Sequence, residues 1–287
     1  MNQNFSSLHT HTVFCDGRDD VETMCRAAFA KGLASLGFSA HAPVDNTGLE
    51  SCWHMKAGRL GEYIEQVSAA RRRWEGKITI YLGLEVDYVK GLRSPLDRDI
   101  QELGLDYLIG SVHYLVPPRG APFTVDAPAE EYKKGLSEGY GGDAGAMLDA
   151  YWDAVAEMAS LGGFDIAGHL DLYKKNTGAL PNPESANAER RAEEIARALS
   201  SGGIAAEVNT GAMNRGFLSE TYPSPAILRL LRLHNVPAVV SADAHEAKDL
   251  DGHYREARQA LLSAGYAEHV LFEGRSGGKP VWSARPL

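Results

Sequence analysis

Seven short runs of the chain are rich in β-branched and other apolar residues, and each is followed by a longer segment with helical spacing. Most of these runs are apolar throughout and do not alternate with polar residues, which is typical of strands buried on both faces. The pattern predicts strands at residues 6–8, 35–38, 78–84, 107–112, 164–167, 205–208 and 237–241.

The segments between the strands place apolar residues on one face, as Leu60, Tyr63, Ile64 and Val67 do. The predicted helices span residues 20–31, 59–74, 95–103, 146–161, 183–200, 224–234 and 250–264. Alternating strands and helices indicate an α/β protein with parallel strands, and closure into a barrel is the simplest arrangement. A doubly wound open sheet gives the same alternation, so the pattern leaves both architectures open.

We expect residues 1–287 to form a single domain, because no clear boundary interrupts the repeats and one core can serve up to about 300 residues. The stretch 117–145 separates the fourth and fifth predicted strands and is rich in glycine, proline and acidic residues. A long excursion of this kind is more often a lid or an active-site loop than a linker between domains. We therefore expect a lid or an active-site loop there.

The composition is that of an ordinary globular protein, with 44% hydrophobic and 23% charged residues. A formal net charge of −9 disfavours electrostatic binding to duplex nucleic acid, so we expect no nucleic-acid partner. The three cysteines form no CxxC pair and no disulfide framework, which favours a reducing compartment. Without a signal-peptide pattern or a run of 18 apolar residues, we expect a soluble, cytoplasmic protein with no membrane partner, and a homo-oligomer stays open.

Nearly every predicted strand ends in a side chain that can bind a metal ion. These imidazoles and carboxylates are His9, His11, Asp16, His41, Glu85, His113, His169, Asp243 and His245. The carboxyl ends of parallel strands face one side of an α/β protein, so we expect these residues to converge in space. Two further acids, Asp87 and Glu207, also lie at strand ends.

Imidazole and carboxylate ligands suit Zn²⁺, Mn²⁺ or Fe²⁺. Nine such residues exceed what one ion can use, so the sequence predicts two or three divalent ions. The four other histidines, His54, His234, His253 and His269, lie away from strand ends, and we expect them to have ordinary structural roles.

The residues around these strand ends form a series of motifs. They are, in chain order, His9-Thr10-His11 with Asp16-Gly17, Gly37-Phe38-Ser39-Ala40-His41, Gly83-Leu84-Glu85, Ser111-Val112-His113, Gly168-His169-Leu170-Asp171 and Ser241-Ala242-Asp243-Ala244-His245. The series resembles the motifs of the PHP (polymerase and histidinol phosphatase) superfamily over about residues 7–246. This resemblance implies a distorted (β/α)7 TIM-like barrel that carries a trinuclear metal centre.

The resemblance also implies how the ligands are divided among the ions. One ion is expected on His9, His11, Glu85 and Asp243, a second on Glu85, His113 and His169, and a third on Asp16, His41 and His245. Many members of the superfamily carry histidine where this chain has Asp16, which leaves the identity of the third ion open.

Three stretches look most like the histidinol-phosphate phosphatases of histidine biosynthesis within that superfamily. They are residues 169–175, residues 207–210 and residues 222–225. The resemblance implies hydrolysis of L-histidinol phosphate to L-histidinol and phosphate by attack of a hydroxide that bridges two metal ions. We expect Glu85, Asp243 and His245 to be the catalytic residues.

The phosphate group of such a substrate also needs cationic partners that are not metal ions. We expect Arg215, just after the sixth strand, and Lys175, after the fifth, to bind it, and Arg18 is a weaker candidate. Two other functions stay open: a PHP phosphoesterase that acts on nucleotides or nucleic acid ends, and a metal-binding module without catalytic activity.

Overall fold

The computed structural model describes residues 4–45, 47–49, 52–179 and 185–287. The strands are β1 (Ser35–Phe38), β2 (Thr79–Asp87), β3 (Tyr107–Ser111), β4 (Tyr114–Leu115), β5 (Phe123–Thr124), β6 (Ile166–Ala167), β7 (Ala205–Asn209), β8 (Ala238–Ser241), β9 (Glu268–Ser276) and β10 (Lys279–Pro286). The α-helices are α1 (Val21–Lys31), α2 (Leu60–Arg73), α3 (Arg98–Gln101), α4 (Ala129–Tyr140), α5 (Ala144–Leu161), α6 (Ala188–Gly202), α7 (Gly211–Asn214), α8 (Pro225–Leu233) and α9 (Tyr254–Ser263). Short 3₁₀ helices span Ala57–Arg59, Leu172–Ala179 and Ala247–Asp249.

Six strands form one parallel sheet in the order β1-β2-β3-β6-β7-β8. The segment before α1 connects the two edges of this sheet, because Ser7 bridges to Leu36 on β1 and Thr10 bridges to Ala244 beyond β8, both in parallel. The strand predicted at residues 6–8 is therefore present as isolated bridges and not as a regular ladder. The predicted α/β barrel is confirmed.

Local sequence signals explain where the helices begin and end. The Asp20 side chain accepts a hydrogen bond from the Thr23 amide at the start of α1, and Gly32 ends that helix in the left-handed region at φ 70°. Helix α6 buries residues at a spacing of three and four, namely Ala192, Ile195, Ala196 and Leu199. It begins at Ala188, later than predicted, and residues 183 and 184 of the prediction lie outside the described residues.

The predicted lid region, residues 117–145, contains more regular structure than the sequence pattern indicates. Strands β4 and β5 form a short antiparallel hairpin, and β5 is followed by helix α4, which buries Tyr132 and Leu136. The helix ends at Gly141 in the left-handed region at φ 63°. The role of this region as a lid stays a prediction.

The C-terminal hairpin of β9 and β10 is absent from the sequence prediction. It covers the amino ends of the barrel strands, where Phe272 joins a buried cluster. The other buried members of that cluster are Leu8, Tyr107, Ile109, Ile166, Ala205 and Val239. Arg275 on β9 donates to both oxygens of Asp165, at 2.6 Å each, and Asp165 is a buried residue just before β6. The hairpin thus closes the end of the barrel opposite the strand ends that carry the predicted metal ligands.

No helix within the described residues combines the length and the apolar character needed to cross a bilayer.

We expect Arg275→Ala to lower the free energy of unfolding by about 2 kcal/mol, because it leaves the Asp165 carboxylate buried without its partner. The estimate lies below the usual cost of breaking a fully buried pair, since the Arg275 side chain is 35% exposed. Denaturant unfolding measures the change. Arg255→Ala is the matched control, with an expected change below about 0.5 kcal/mol, because that side chain is 92% exposed. Equal losses of unfolding free energy in the two variants would contradict the conclusion that the pair of Arg275 and Asp165 helps to close this end of the barrel.

The stability of the protein should also fall in acid through His269. This side chain is buried, stacks on Phe5 at 4.7 Å between ring centroids, and has its pKa lowered to about 4 by burial. In the unfolded chain this imidazole binds a proton below about pH 6.5, whereas in the folded protein it does so only near pH 4. The free energy of unfolding therefore falls as the pH drops from about 6.5 to 4. Between pH 7 and pH 5, we expect the free energy of unfolding of His269→Phe to fall by about 1–2 kcal/mol less than that of the wild type. Equal losses of unfolding free energy in the two proteins, measured by urea unfolding at pH 7 and pH 5, would contradict this role of His269.

Candidate metal centre

The strand ends bring the nine predicted metal-ligand residues together at one end of the barrel. Seven of the nine are buried, and Asp16 and His245 are partly exposed. Their assignment as ligands stays a prediction, but their geometry is that of a single cluster built around Glu85 on β2.

One oxygen of Glu85 faces three imidazoles. Its Oε2 atom lies 3.0 Å from His9 Nε2, 3.0 Å from His41 Nδ1 and 3.5 Å from His11 Nε2. All four side chains are almost inaccessible to solvent. Glu85 is therefore a shared neighbour of residues that come from the N-terminal segment and from the end of β1.

The other oxygen of Glu85 faces two more histidines. Its Oε1 atom lies 3.2 Å from His169 Nε2 and 3.6 Å from His113 Nε2. These histidines follow β6 and β3, so the two oxygens of one carboxylate reach opposite sides of the cluster. This is the arrangement expected of a carboxylate that bridges two ions.

Asp243 lies just beyond β8 and completes the first predicted set. Its Oδ1 atom is 3.3 Å from His11 Nε2 and 3.7 Å from His9 Nε2. Arg215 approaches from the other side, with Nη2 at 3.0 Å from Asp243 Oδ2 and Nη1 at 3.0 Å from His245 Nδ1. A Cβ atom at Gly211 would lie 2.6 Å from Asp243 Oδ2, so this close approach requires glycine there.

The third predicted set lies toward the surface. Asp16 Oδ2 is 3.1 Å from His245 Nε2, and Asp16 Oδ1 is 3.7 Å from His41 Nε2. His11 belongs to this group as well, with Nδ1 at 3.6 Å from Asp16 Oδ1. The structure thus adds one histidine to the set that the sequence implies.

Several buried polar atoms in the cluster have no hydrogen-bond partner among the residues that the structure describes. They are His9 Nε2, His11 Nε2, His41 Nδ1, Glu85 Oε1, Glu85 Oε2 and His169 Nδ1. Such atoms are costly unless something satisfies them. Ligand atoms at about 2.1 Å from a tetrahedral ion lie about 3.4 Å from one another, which matches the separations around Glu85. The residues present therefore fit divalent metal ions.

The electrostatics of the cluster keep two carboxylates ionised and one histidine neutral, whereas at His9 and His113 burial is outweighed by nearby carboxylates, which raise the pKa of both. Burial opposes the ionisation of Glu85, but His9 and the neighbouring histidines outweigh it and hold the pKa of this carboxyl well below its usual range. Burial likewise opposes ionisation of Asp243, and Arg215 and His9 hold its pKa well below normal. Burial, together with nearby histidines, lowers the pKa of His11 to about 3. The two carboxylates are thus charged and His11 is neutral at neutral pH.

Two further carboxylates orient the histidines of the cluster. Glu207 on β7 lies 2.9 Å from His9 Nδ1 and accepts a hydrogen bond from the His169 amide at 2.6 Å. Asp87, at the end of β2, lies 2.9 Å from His113 Nδ1 and 2.7 Å from His54 Nε2. The sequence places both acids at strand ends, where Glu207 is a candidate partner for an amino-alcohol substrate or a support behind the ligands, and it gives Asp87 no role. It also predicts an ordinary structural role for His54, which is buried against the centre.

A cavity of about 620 Å³ opens above the cluster. Arg215 and Lys175 line it together with Glu85, Asp243 and residues 122–124 and 126–128 of the predicted lid region. Lys175 Nζ lies 4.7 Å from the centroid of the Phe217 ring, another residue of the cavity wall. The third predicted phosphate ligand is elsewhere: the Arg18 side chain is 78% exposed, pairs with Glu246 at 2.8 Å and does not line the cavity.

Comparisons with known proteins agree with this geometry. The PHP domain family matches residues 7–211. A Deinococcus radiodurans protein named "Probable histidinol-phosphatase" is 30% identical over 260 residues, which cover 90% of this chain and 92% of that protein. The histidinol-phosphatase of Bacillus subtilis is 26% identical over 84% of this chain and 94% of its own length.

The fold has a close counterpart among solved structures. The histidinol phosphate phosphatase of Lactococcus lactis, solved in complex with zinc, L-histidinol and phosphate, superposes with a TM-score of 0.71 at 22% identity. The match covers 97% of this chain and 99% of that one. At that level of identity the comparison bears on the fold, and it supports the parallel α/β barrel.

Proposed function

The chain belongs to the PHP domain family, and on that basis we propose that it is a metal-dependent phosphatase that hydrolyses L-histidinol phosphate to L-histidinol and phosphate. The observation that carries the proposal is the cluster of six histidines and three carboxylates beneath a cavity with two cationic side chains. The names of its relatives from Deinococcus radiodurans and Bacillus subtilis support the same substrate.

We propose that the cluster holds two or three divalent ions, with zinc as the first candidate because zinc is present in the Lactococcus lactis structure. Glu85, His9, His11 and Asp243 would hold one ion, Glu85, His113 and His169 would hold a second, and Asp16, His41 and His245 would hold a third. Bound divalent ions supply Lewis-acid charge for the phosphoryl oxygens and lower the pKa of a coordinated water to about 7.

The protein's own side chains bind and orient the phosphate. Arg215 is held at the edge of the centre by Asp243, so its guanidinium is preorganised for an anion that enters the cavity. Lys175 also lines the cavity, where Phe217 and Asp126 fix its position. Both cations stabilise the negative charge that develops on the phosphoryl group.

The walls of the cavity suit a small organic phosphate. Trp53, Tyr114 and Phe123 provide apolar surface, while Asp126 and Glu131 add carboxylates to the lining of the cavity. A substrate with an aromatic ring and an ammonium group would meet both kinds of surface, and a nucleotide would bring its ring without the cationic group.

We expect the purified protein to release phosphate from L-histidinol phosphate and to lose this activity after dialysis against a strong chelator. Addition of zinc or manganese should restore it, and nucleoside monophosphates assayed in parallel should be hydrolysed more slowly. Full turnover after metal removal would contradict the metal-dependent mechanism. A faster reaction with nucleotides would contradict the substrate and favour the nucleotide phosphoesterase.

We expect Arg215→Ala to lower kcat/KM for L-histidinol phosphate by about 100-fold, because one charged donor to the phosphoryl group is lost. Arg18→Ala provides the matched comparison, with kcat/KM expected within about twofold of the wild type. A large loss in Arg18→Ala and none in Arg215→Ala would reverse the two assignments. The zinc content of both variants shows whether the metal centre has stayed intact.

A further inference from the structure

The carboxylate of Asp87 lies between two buried histidines, of which one is a predicted metal ligand and the other is not. His113 is a predicted metal ligand, whereas His54 belongs to none of the three predicted sets. Asp87 Oδ1 is 2.9 Å from His113 Nδ1 and Asp87 Oδ2 is 2.7 Å from His54 Nε2. Asp87 and His54 are both buried. Each oxygen of the carboxylate therefore serves one imidazole.

The first of these bonds determines which nitrogen of His113 can face a metal ion. An ionised carboxylate only accepts hydrogen bonds, so the Nδ1 atom of His113 carries the proton. The lone pair is then on Nε2, which lies 3.6 Å from Glu85 Oε1. A ligating histidine commonly has such a partner on its second nitrogen, which fixes both the tautomer and the ring orientation.

The second bond connects the centre to the wall of the cavity. His54 follows Trp53, and their rings lie 3.7 Å apart between centroids. Trp53 lines the cavity and contacts two predicted ligands edge-on, with centroids 4.5 Å from His41 and 5.2 Å from His113. The same carboxylate that orients His113 thus holds the chain segment that covers this side of the cluster.

We propose that Asp87 is a positioning residue of the metal centre, which orients His113 for metal binding and anchors the Trp53–His54 wall of the cavity through His54. The inference rests on the proposed metal centre. It assigns roles to two residues that lie outside the predicted ligand sets, and it requires that the larger part of the effect of Asp87 reaches the metal through His113.

The test is the zinc retained by the full-length protein after dialysis against a series of chelator-buffered zinc concentrations. Asp87→Asn keeps the volume of the side chain, but its amide oxygen can serve only one of the two rings as acceptor. We expect the affinity of one class of bound zinc to fall about 10–100-fold, while the remaining zinc is retained as in the wild type.

Asp165→Asn is the matched control, because Asp165 is an equally buried aspartate at the opposite end of the barrel. We expect it to lower the melting temperature without a change in zinc retention. A ¹⁵N NMR spectrum of the zinc-loaded protein adds a readout that a purely structural role would not change: the Nδ1–H signal of His113 should be present in the wild type and in Asp165→Asn, and shifted or lost in Asp87→Asn.

His54→Phe tests the anchor and replaces Asp87→Asn if that variant does not fold. It leaves the bond from Asp87 to His113 in place, so we expect a smaller loss of zinc than in Asp87→Asn and a higher KM for L-histidinol phosphate. Wild-type zinc retention in Asp87→Asn, or unchanged KM and zinc in His54→Phe, would overturn the inference while the metal centre stands. A wild-type protein that retains no zinc would overturn the proposed centre itself, and zinc binding without phosphatase activity would overturn only the function.

Discussion

The organisation of this protein depends on one buried carboxylate. Glu85 is 1% exposed, and its two oxygens face five imidazole rings that come from four separate parts of the chain. A charge in such a place is tolerable only among cations or hydrogen-bond donors. The surrounding histidines and the divalent ions proposed here meet that requirement. The barrel accordingly brings its strand ends together around this one side chain.

The two ends of the barrel have different tasks, and the chain uses different chemistry at each. At the carboxyl ends of the strands, polar and ionisable groups are gathered under an open cavity. At the amino ends, the hairpin of β9 and β10 covers an apolar cluster and forms the ion pair of Arg275 and the buried Asp165. Because of this separation, the closed apolar end stabilises the barrel, while the other end can hold the buried ionisable side chains that are costly in an apolar core.

The strands that carry the predicted metal ligands also carry carboxylates that contact these ligands from behind. Glu85 and Asp87 are two residues apart on β2, so their side chains leave the same face of the strand and reach successive depths. The nearer carboxylate faces five histidines, and the farther one holds one of these, His113, from behind. Glu207 does the same for His9 from β7. Oriented imidazoles lose less conformational entropy when they bind an ion, which is the physical value of this second layer.

The hydrophobic pattern by itself determined a parallel α/β fold and the edge of the sheet that carries the chemistry, while the choice of a barrel over an open sheet came from the motifs that resemble the PHP superfamily. Runs that are apolar throughout indicate strands buried on both faces. Because parallel strands all end on the same side of the sheet, the histidines that follow them come together in space. The α4 helix, the β4–β5 hairpin and the C-terminal hairpin escaped prediction, because β4 and β5 have only two residues each, α4 lies in a stretch rich in glycine and acidic residues, and β10 has no buried residue. Only the tertiary structure decided that His54 lies against the centre, that Arg18 points to solvent and that Asp165 meets Arg275. Each of these depends on a partner distant in the chain, and local pattern carries no information about such partners.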